Sequence, residues 1–310
     1  MSSTKIPATT NWPVQESMSI VLPAKNEGHS LKWLLPELRR QVPDAEILVV
    51  DDGSTDRTVE ICFNEGVRVI SHPYSMGNGA AIKTGARNAH GDIVVFMDAD
   101  GQHNPADIPR LISKLAQGYE MVVGARHPNS QASFGRRGAN YFYNQLASVM
   151  TGYRIEDLTS GFRAVRARHF RKFLYLLPNG FSYPTTSTMA FFRSGFPVAY
   201  VPIHAGQREV VGTSKIRILR DGLRFFVIIL KIGALFSPMR LFLPVSAFLL
   251  SGGAGLYVYN YFTQARFTNM SVFLLMSALF IFLIGILSEQ ISSLHYRGVE
   301  EDFRRTKRDS

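Results

Sequence analysis

The sequence contains almost no cysteine and lacks the glycine-rich motifs of the common nucleotide-binding folds. Cys62 is the single cysteine in 310 residues, which excludes a disulfide framework and a thiolate metal site and favours a reducing compartment. No Gly-x-Gly-x-x-Gly follows the first predicted strand and there is no Walker A sequence, so nicotinamide, flavin and P-loop nucleotide binding are disfavoured. The first residues are polar, without the apolar core of a signal peptide, and we expect residues 1–17 to be a mobile leader.

The charge of the chain is strongly positive. A net charge of +10 and a pI of about 9.8 indicate an anionic partner, which can be nucleic acid, lipid head groups or a phosphorylated substrate. A basic cluster comprises Arg163, Arg166, Arg168, Arg171 and Lys172. Because it lacks the interleaved aromatic residues and the motifs of a nucleic-acid-binding protein, we expect it to face a membrane or solvent and predict no nucleic-acid partner.

Short apolar runs alternate with helical patterns along the first two-thirds of the chain. The predicted strands cover 19–23, 46–50, 67–70, 93–97, 120–124, 161–165 and 197–203. Leucines 31, 34, 35 and 38 recur at helical spacing, and Ser54 or Thr55 is a candidate N-cap for a helix that runs to about residue 65. Further helices are expected from 77 and over 105–118. This alternation predicts an α/β fold with a doubly wound, mostly parallel sheet.

Two stretches near the end of the chain, 241–262 and 267–288, carry no charge. Each has 22 residues and reaches roughly 33 Å as a helix, enough to cross a bilayer. A short link predicts a hairpin, so we expect two transmembrane helices over 239–291 and a cytoplasmic tail at 292–310. The alternative is a buried helical pair in a soluble protein. Because basic residues flank the outer ends of the pair and the link has only Arg266, the positive-inside rule predicts a cytoplasmic catalytic domain and tail.

Two segments before the hairpin are predicted to lie at the membrane interface. Residues 213–238 are strongly apolar yet contain several arginines and lysines, which is typical of an amphipathic juxtamembrane helix. A core helix with a solvated basic face is the alternative. A second interface helix is expected at about 136–153.

The strongest candidate for chemistry is the segment in which an apolar run ends in two carboxylates. Asp98 and Asp100 follow the predicted strand at 93–97, and side chains at i and i+2 point to the same side of an extended chain. Hard oxygen ligands suit Mg²⁺ or Mn²⁺, which leave room for substrate phosphates. A solvated turn after a strand is the alternative interpretation of an isolated Asp-x-Asp.

Three loops follow neighbouring predicted strands and are expected to share a crevice at the carboxyl edge of the sheet. They cover 23–27, 51–52 and 98–102. Asp51 or Asp52 can accept hydrogen bonds from a base or ribose, while Asp98 and Asp100 hold a metal against a diphosphate. Lys83 and Arg126 are candidates for direct phosphate contacts.

Taken together, these motifs resemble those of family 2 glycosyltransferases. The matching segments are VLPAKNE at 21–27, VDDGSTD at 50–56, GNGAA at 77–81 and DADGQ at 98–102. Gln102, SGFR at 160–163 and GTSK at 212–215 resemble more narrowly the dolichol-phosphate mannose synthase and polyprenyl-phosphate glycosyltransferase group. Two features depart from the family: Lys25 stands where many members have Tyr, and no Gln-x-x-Arg-Trp is present, which disfavours a processive polysaccharide synthase.

The resemblance implies a GT-A catalytic domain over 18–212 that transfers a hexose from a nucleotide sugar with inversion and a divalent cation, Mg²⁺ or Mn²⁺. Carried over by position, the nucleotide-sugar site comprises Pro23, Ala24, Glu27, Asp52, Lys83 and Asp98. The metal and diphosphate ligands are Asp98, Asp100 and Gln102. The catalytic residues are Asp100, Asp157 and Arg126, and the lipid phosphate is held by Arg126, Arg208, Ser214 and Lys215.

The resulting functional hypothesis is transfer of a hexose from a GDP- or UDP-linked sugar to a polyprenyl or dolichyl phosphate, with the hairpin as an anchor or a homo-oligomer contact. Asp157 either acts at the acceptor or turns the loop before Thr159, and Arg208 and Lys215 have an alternative role as charges beside acidic lipids. The rival functions are a glycosyltransferase with a glycolipid or other hydroxyl acceptor and a non-catalytic nucleotide-sugar-binding scaffold.

Overall fold

The computed structural model of the protein describes residues 16–126, 134–180, 182–204, 236–264 and 268–308, with positions 206, 233, 234 and 266. The chain divides into two compact units. The first contains residues 1–130, 160–183 and 197–210, and the second contains 131–159, 184–196 and 211–310. Most of the predicted leader and of the predicted amphipathic segment 213–238 lies outside the described residues, and so do Arg208, Ser214 and Lys215.

The first unit is built on a seven-stranded sheet. Its strands are β1 (Met18–Ala24), β2 (Glu46–Asp51), β3 (Arg68–Ser71), β4 (Ile93–Phe96), β5 (Met121–Arg126), β6 (Arg163–Arg166) and β7 (Val198–Ile203). The order is β3-β2-β1-β4-β6-β5-β7, and the pairs are parallel except for β6, which is antiparallel to both β4 and β5. The predicted mostly parallel sheet is confirmed. The reversed direction of β6 was not predicted, because an apolar run carries no sign of its direction.

Helices pack on this sheet. They are α1 (Gly28–Gln41), α2 (Thr58–Asn64), α3 (Asn78–Asn88), α4 (Ile108–Leu115, after a 3₁₀ turn at Pro105–Asp107) and α6 (Ala167–Lys172). The first four lie where the sequence predicts helices, whereas α6 was not predicted. The four leucines of α1 predicted to face the core are fully buried. The predicted cap of α2 is wrong: the Asp56 carboxylate accepts from the Thr58 amide, whereas Ser54 and Thr55 bond to Asn26 instead. Asp56 is closer in sequence to the first helical turn and satisfies its amide.

The second unit is mostly helical in the part that the structure describes. It contains α5 (Phe134–Thr151), most of α7 (Tyr183–Arg193), α8 (Pro238–Gln264) and α9 (Asn269–Arg308). Helices α8 and α9 pack against each other, and the Ser246 hydroxyl donates to the Ala278 carbonyl at 2.9 Å. The spans Pro238–Thr263 and Asn269–Leu294 are long and apolar enough to cross a membrane, yet only 11% and 17% of their most apolar windows are buried. A buried pair in a soluble protein would bury far more, so we conclude that the chain is a membrane protein.

Charged side chains fix the two ends of this hairpin that lie farthest from its link. Arg240, near the start of α8, donates to the carbonyls of Val149 and Met150 at 2.8 Å, at the carboxyl end of α5. A cation at this position stabilises the negative end of the helix dipole. Glu289 of α9 pairs with Arg193 of α7 at 2.7 Å. Helices α5 and α7 therefore both contact the hairpin at the same end, the end farthest from its link.

Lys83 holds a loop of the protein and does not line the cleft described below. Its ammonium donates to the Leu177 carbonyl at 3.1 Å and to the Asn179 side chain. The amide of Gly79 donates to the Gly180 carbonyl at 3.2 Å, and a Cβ at Gly79 would lie 2.0 Å from the Pro178 carbonyl oxygen. Because the residues at the start of α3 are small, the backbone of the 177–180 loop can lie close against them. The phosphate contact of Lys83 stays a prediction, while these hydrogen bonds direct its ammonium towards the 177–180 loop.

We expect Lys83→Met to destabilise the first unit because it removes two hydrogen bonds from a charged donor, by roughly 1–3 kcal/mol. Thermal unfolding of the full chain in non-ionic detergent measures the loss, and limited proteolysis reports cleavage within 177–183. Lys32→Met, which removes an exposed lysine of α1, is the control and should behave as wild type. Unchanged stability together with weaker binding of a nucleoside diphosphate would favour the phosphate role.

Glu46 ties the amino ends of several strands together. Its carboxylate accepts from the Ser19 hydroxyl, from Arg68 at 2.8 Å and from the His90 amide at 2.8 Å. Burial opposes ionisation, but the hydrogen bonds from His90, Ser19 and Arg68 outweigh it and lower the pKa of the carboxyl to about 2. The ionised form is therefore part of the fold.

The stabilisation by Glu46 is expected to depend on pH. Because the pKa is about 2 in the folded chain and ordinarily 4.5, the contribution is complete above about pH 5 and is lost as the pH falls towards 2, with an upper bound of about 3 kcal/mol. Thermal midpoints of wild type and Glu46→Gln should differ most at pH 7 and converge in acid. Glu60→Gln, at an exposed position of α2, is the control. A difference that is the same at pH 7 and pH 3 would contradict this account.

Candidate active site

The carboxyl ends of β1, β2 and β4 surround a cleft of about 370 Å³. These strands are neighbours in the order β2-β1-β4, so the loops that follow them meet at one edge of the sheet. The lining residues are Pro23, Ala24, Lys25, Glu27, Asp52, Ser75, Gly77, Asn78, Ala81, Asp98, Ala99 and Asp100. The structure therefore brings together six of the predicted site residues: Pro23, Ala24, Glu27, Asp52, Asp98 and Asp100.

Asp52 stands at the β2 side of the cleft and is saturated with hydrogen bonds from the protein. One carboxylate oxygen accepts from His72 Nδ1 at 2.8 Å and the Met76 amide at 2.7 Å, and the other accepts from the Ser75 hydroxyl at 2.8 Å and the Gly77 amide at 2.9 Å. Burial raises the pKa of Asp52, but these hydrogen bonds outweigh it and hold the pKa below its usual value. The carboxylate is therefore ionised and fixes the segment 72–77 beside the cleft.

The segment after β3 adds site residues that the sequence did not indicate. Ser75 and Asn78 line the cleft, and the Lys25 ammonium donates to the Ser75 hydroxyl at 2.9 Å. His72 connects the network to α3 through Thr84 Oγ1, 2.9 Å from its Nε2. Asp51 does not line the cleft; it accepts from the Ser54 amide at 3.0 Å. Of the two aspartates at 51–52, Asp52 is therefore the one that lines the cleft.

Asp98 and Asp100 both line the opposite, β4 side of the cleft. They do not lie on an extended strand as predicted, because β4 ends at Phe96 and residues 99 and 100 form a turn. The Asp100 carboxylate accepts a hydrogen bond from the backbone amide of Gln102 at 3.1 Å and so stabilises that turn. The Gln102 carbonyl accepts from the Gly206 amide at 2.8 Å. The turn, rather than the two-residue repeat of a strand, brings both carboxylates to the cleft.

The antiparallel direction of β6 places the Ser-Gly-Phe-Arg segment against Asp98. Phe96 pairs with Arg163, so the residues just before β6 lie beside those just after β4. A Cβ at Gly161 would lie 2.7 Å from a carboxylate oxygen of Asp98. His103 is buried, stacks on Phe162 and places Nε2 at 3.7 Å from the same oxygen, Asp98 Oδ2. Gly161 and His103 thus both lie beside this oxygen of Asp98.

Beneath this segment lies a fully buried aromatic layer. The Tyr183 hydroxyl donates to the Gly161 carbonyl at 2.9 Å, and its ring packs edge-on against Phe96. Burial and then the charge of Asp98 raise the pKa of Tyr183, so the phenol stays neutral and remains a donor. Arg163 is fully buried and lies over the Tyr183 ring at 5.6 Å, so the expectation that it faces a membrane or solvent is wrong. The position of Gly161 is therefore set by a hydrogen bond from the core.

Two further predicted site residues, Arg126 and Asp157, are not among those that line the cleft. Arg126 is half-buried at the end of β5, and Asp157 is buried in the second unit, where its carboxylate accepts from the amide and hydroxyl of Thr159 at 3.0 and 3.2 Å. Those contacts agree with the interpretation of Asp157 as the residue that turns its loop. The catalytic role remains a prediction.

The cleft offers oxygen ligands for a hard cation. Asp98 and Asp100 supply two carboxylates, and Gln102 follows in the same loop but is not among the residues that line the cleft. No set of three or more His, Cys, Asp and Glu that could hold a metal occurs among the described residues. Two carboxylates with open positions left for phosphates and water fit Mg²⁺ or Mn²⁺ better than a closed zinc or calcium cage.

Solved structures and curated proteins with similarity to the chain agree with this architecture. Glucosyl-3-phosphoglycerate synthase from Mycobacterium tuberculosis, in complex with Mn²⁺, UDP and glucosyl-3-phosphoglycerate, aligns at a TM-score of 0.58 and 21% identity over 73% of this chain and 86% of that chain. Its complex with Mn²⁺ and UDP-glucose gives 0.56 and 22%, over 70% and 78%. At these identities the likeness shows the fold, which is GT-A.

Similarity to curated proteins extends along nearly the whole chain. The undecaprenyl-phosphate 4-deoxy-4-formamido-L-arabinose transferases of Salmonella typhimurium and Salmonella paratyphi B are 29% identical over 313 aligned positions, covering 90% of this chain and 89% of theirs.

Two family models match the chain in tandem. Residues 237–294 match the GtrB C-terminal hairpin, which agrees with the pair α8 and α9. Residues 19–174, half of the chain, match the model of glycosyl transferase family 2. The predicted family is confirmed: the chain belongs to glycosyl transferase family 2 and is a glycosyltransferase with a C-terminal membrane hairpin.

Proposed function

We propose that the enzyme transfers a hexose, with inversion and with a divalent cation, from a GDP- or UDP-linked sugar to a polyprenyl phosphate at the cytoplasmic face of a membrane. The observation that carries the proposal is the combination, in one chain, of the Asp98–Asp100 cleft and an exposed apolar hairpin. The Salmonella transferases, whose names specify undecaprenyl phosphate, match 90% of the chain and support the same acceptor class here.

The proposed reaction forms one bond and breaks one bond at the anomeric carbon of the sugar. An oxygen of the acceptor phosphate attacks that carbon, and the bond to the nucleoside diphosphate breaks, so that the diphosphate leaves with the electron pair. The sugar gains positive charge in the transition state and the leaving group gains negative charge. Groups that stabilise this negative charge lower the barrier.

Asp98 and Asp100, with Gln102, are the residues that would hold the divalent cation. When bound, the cation supplies electrostatic stabilisation to the diphosphate. The protein's part is to position the two carboxylates: the turn closed by the Gln102 amide fixes Asp100, and Gly161 and His103 lie beside Asp98. Pro23, Ala24 and Glu27 form the floor of the donor cleft after β1.

A phosphate acceptor needs little help with its proton. The second pKa of a phosphate monoester is about 6, so the acceptor is largely ionised at neutral pH. A hydroxyl acceptor would need a general base within hydrogen-bonding distance. We therefore assign Asp157 the role of shaping the acceptor loop, and Arg126, Arg208, Ser214 and Lys215 the role of binding the lipid phosphate.

The hairpin keeps the enzyme at the membrane that carries its acceptor. Basic residues follow the second span at Arg297, Arg304, Arg305, Lys307 and Arg308, whereas the link between the spans has only Arg266. The positive-inside rule then supports a cytoplasmic catalytic domain and carboxyl terminus. The hairpin also offers a surface for homo-oligomer contacts.

The direct test uses the full chain in non-ionic detergent with Mg²⁺ or Mn²⁺, a polyprenyl phosphate and a panel of radiolabelled GDP- and UDP-sugars. We expect label from one donor to enter the organic phase. Asp100→Ala should abolish the transfer, whereas Asp44→Ala, at an exposed turn, should leave it unchanged. Donor hydrolysis without transfer to the lipid phosphate would favour a hydroxyl acceptor, and Asp157→Asn would then be strongly impaired. Nucleotide binding without any turnover would favour the scaffold.

The proposed cation site can be tested without turnover. Gly161→Ala introduces a methyl group 2.7 Å from Asp98 Oδ2, and the displaced carboxylate should weaken Mn²⁺ binding roughly tenfold or more, measured by electron paramagnetic resonance in the presence of a nucleoside diphosphate. EDTA should remove the transferase activity and added Mn²⁺ should restore it. Gly138→Ala is the control, because a Cβ there meets nothing within 4 Å. Wild-type affinity for Mn²⁺ in Gly161→Ala would show that Gly161 does not position the site.

A further inference from the structure

The two sides of the cleft are separated by the width of two strand spacings. Asp52 follows β2, and Asp98 follows β4, with β1 between them. Neighbouring strands lie about 4.8 Å apart, so the two sides are roughly 10 Å apart. If the diphosphate lies at Asp98 and Asp100, as in the proposed function on which this inference rests, the base lies at the side of Asp52, Ser75 and Lys25.

At that side Asp52 has no acceptor position left for a ligand. A carboxylate offers about four lone-pair sites, and the four donors from His72, Ser75, Met76 and Gly77 fill them at 2.7–2.9 Å. A base that hydrogen-bonded to Asp52 would have to displace one of these donors from a buried carboxylate. Asp52 is therefore a positioning residue that holds the segment carrying Ser75.

Among the described residues, Lys25 is the cation that lines this side of the cleft, and it keeps N–H donors to offer. The Ser75 hydroxyl gives its proton to Asp52 Oδ2, so it can only accept from Lys25, and Nζ lies 2.9 Å from it. An ammonium has three N–H donors and no acceptor. Within the described part of the chain, Ser75 is the one hydrogen-bond partner of Lys25 Nζ. The other N–H groups belong to a side chain that lines the cleft.

We infer that Lys25, oriented by Ser75, selects the base of the donor nucleotide: it favours a base with an exocyclic carbonyl oxygen, as in uracil and guanine, over one with an amino group, as in cytosine and adenine. Uracil O4 and guanine O6 accept hydrogen bonds, whereas the amino groups at the corresponding positions of cytosine and adenine are donors. A carbonyl oxygen pairs with the ammonium. An amino group places donor against donor and leaves the ammonium without its hydrogen bond.

The experiment measures dissociation constants of UDP, CDP, GDP and ADP by calorimetry, with the full chain in detergent and Mg²⁺. UDP with CDP and GDP with ADP form matched pairs of carbonyl and amino bases. Wild type should prefer the carbonyl base of at least one pair by roughly tenfold to a hundredfold, as expected for a hydrogen bond to a charged donor. Lys25→Met, which keeps the length of the side chain, should reduce that ratio to near one.

Three further variants separate base selection from a general effect. Ser75→Ala should reduce the ratio in part because Lys25 loses its orienting partner, and Lys25→Arg should retain the preference because it retains donors. Lys32→Met, on the exposed face of α1, loses the same charge outside the cleft and should keep the wild-type ratio. Thermal midpoints of the Lys25 and Lys32 variants should match wild type, since both lysines are exposed, whereas Ser75→Ala also removes a hydrogen bond to the buried Asp52 carboxylate.

Two results would overturn the inference while leaving the proposed function in place. If Lys25→Met weakens all four nucleotides equally, Lys25 binds the diphosphate and not the base. If the ratio is unchanged and sugar transfer to polyprenyl phosphate persists, the base is read by other residues. Failure of wild type to bind any of the four nucleotides would overturn both the inference and the proposed nucleotide-sugar donor.

Discussion

The catalytic side of this enzyme depends on one reversed strand in an otherwise parallel sheet. β6 runs antiparallel between β4 and β5, and its direction brings the residues before it to the carboxyl edge where the Asp-x-Asp turn lies. A crossover in the parallel direction would carry Gly161 to the opposite edge of the sheet. The contact between Gly161 and Asp98 is therefore a consequence of topology. The buried Tyr183 hydroxyl then fixes Gly161 by donating a hydrogen bond to the Gly161 carbonyl.

Several charged groups that resemble ligand-binding residues are used by the fold itself. Lys83 and the glycines at the start of α3 secure the 177–180 loop, and Asp52 fixes the segment 72–77. In both cases a motif that can face a phosphate or a base instead satisfies backbone groups of a neighbouring loop. Buried backbone donors and acceptors need hydrogen-bond partners. In the tight loops at the carboxyl edge of this sheet, those partners are the same side chains that shape the cleft.

Strong periodicity made most of the fold predictable from the sequence. The strands of the first 130 residues, the leucine face of α1 and the two uncharged spans were predicted because their patterns extend over many residues. The cap of α2, the direction of β6 and the partners of Lys83 were not, because each depends on which distant segment lies nearby. The Asp98–Asp100 pair was predicted correctly as a cleft pair but for the wrong local reason, since a turn and not a strand brings the carboxylates together.

The charges that line the cleft support a bound cation, whereas the net charge of the whole chain does not. The chain carries a net charge of +10, which indicated an anionic partner. Among the described residues, however, the lining of the cleft holds four carboxylates, those of Glu27, Asp52, Asp98 and Asp100, and one ammonium, that of Lys25. The pKa of Asp52 is held below its usual value, so that carboxylate stays charged at neutral pH. A nucleoside diphosphate entering such a cleft meets like charge within a few ångströms, where repulsion is weakly screened. A divalent ion held by the β4 carboxylates would reverse the sign of that interaction.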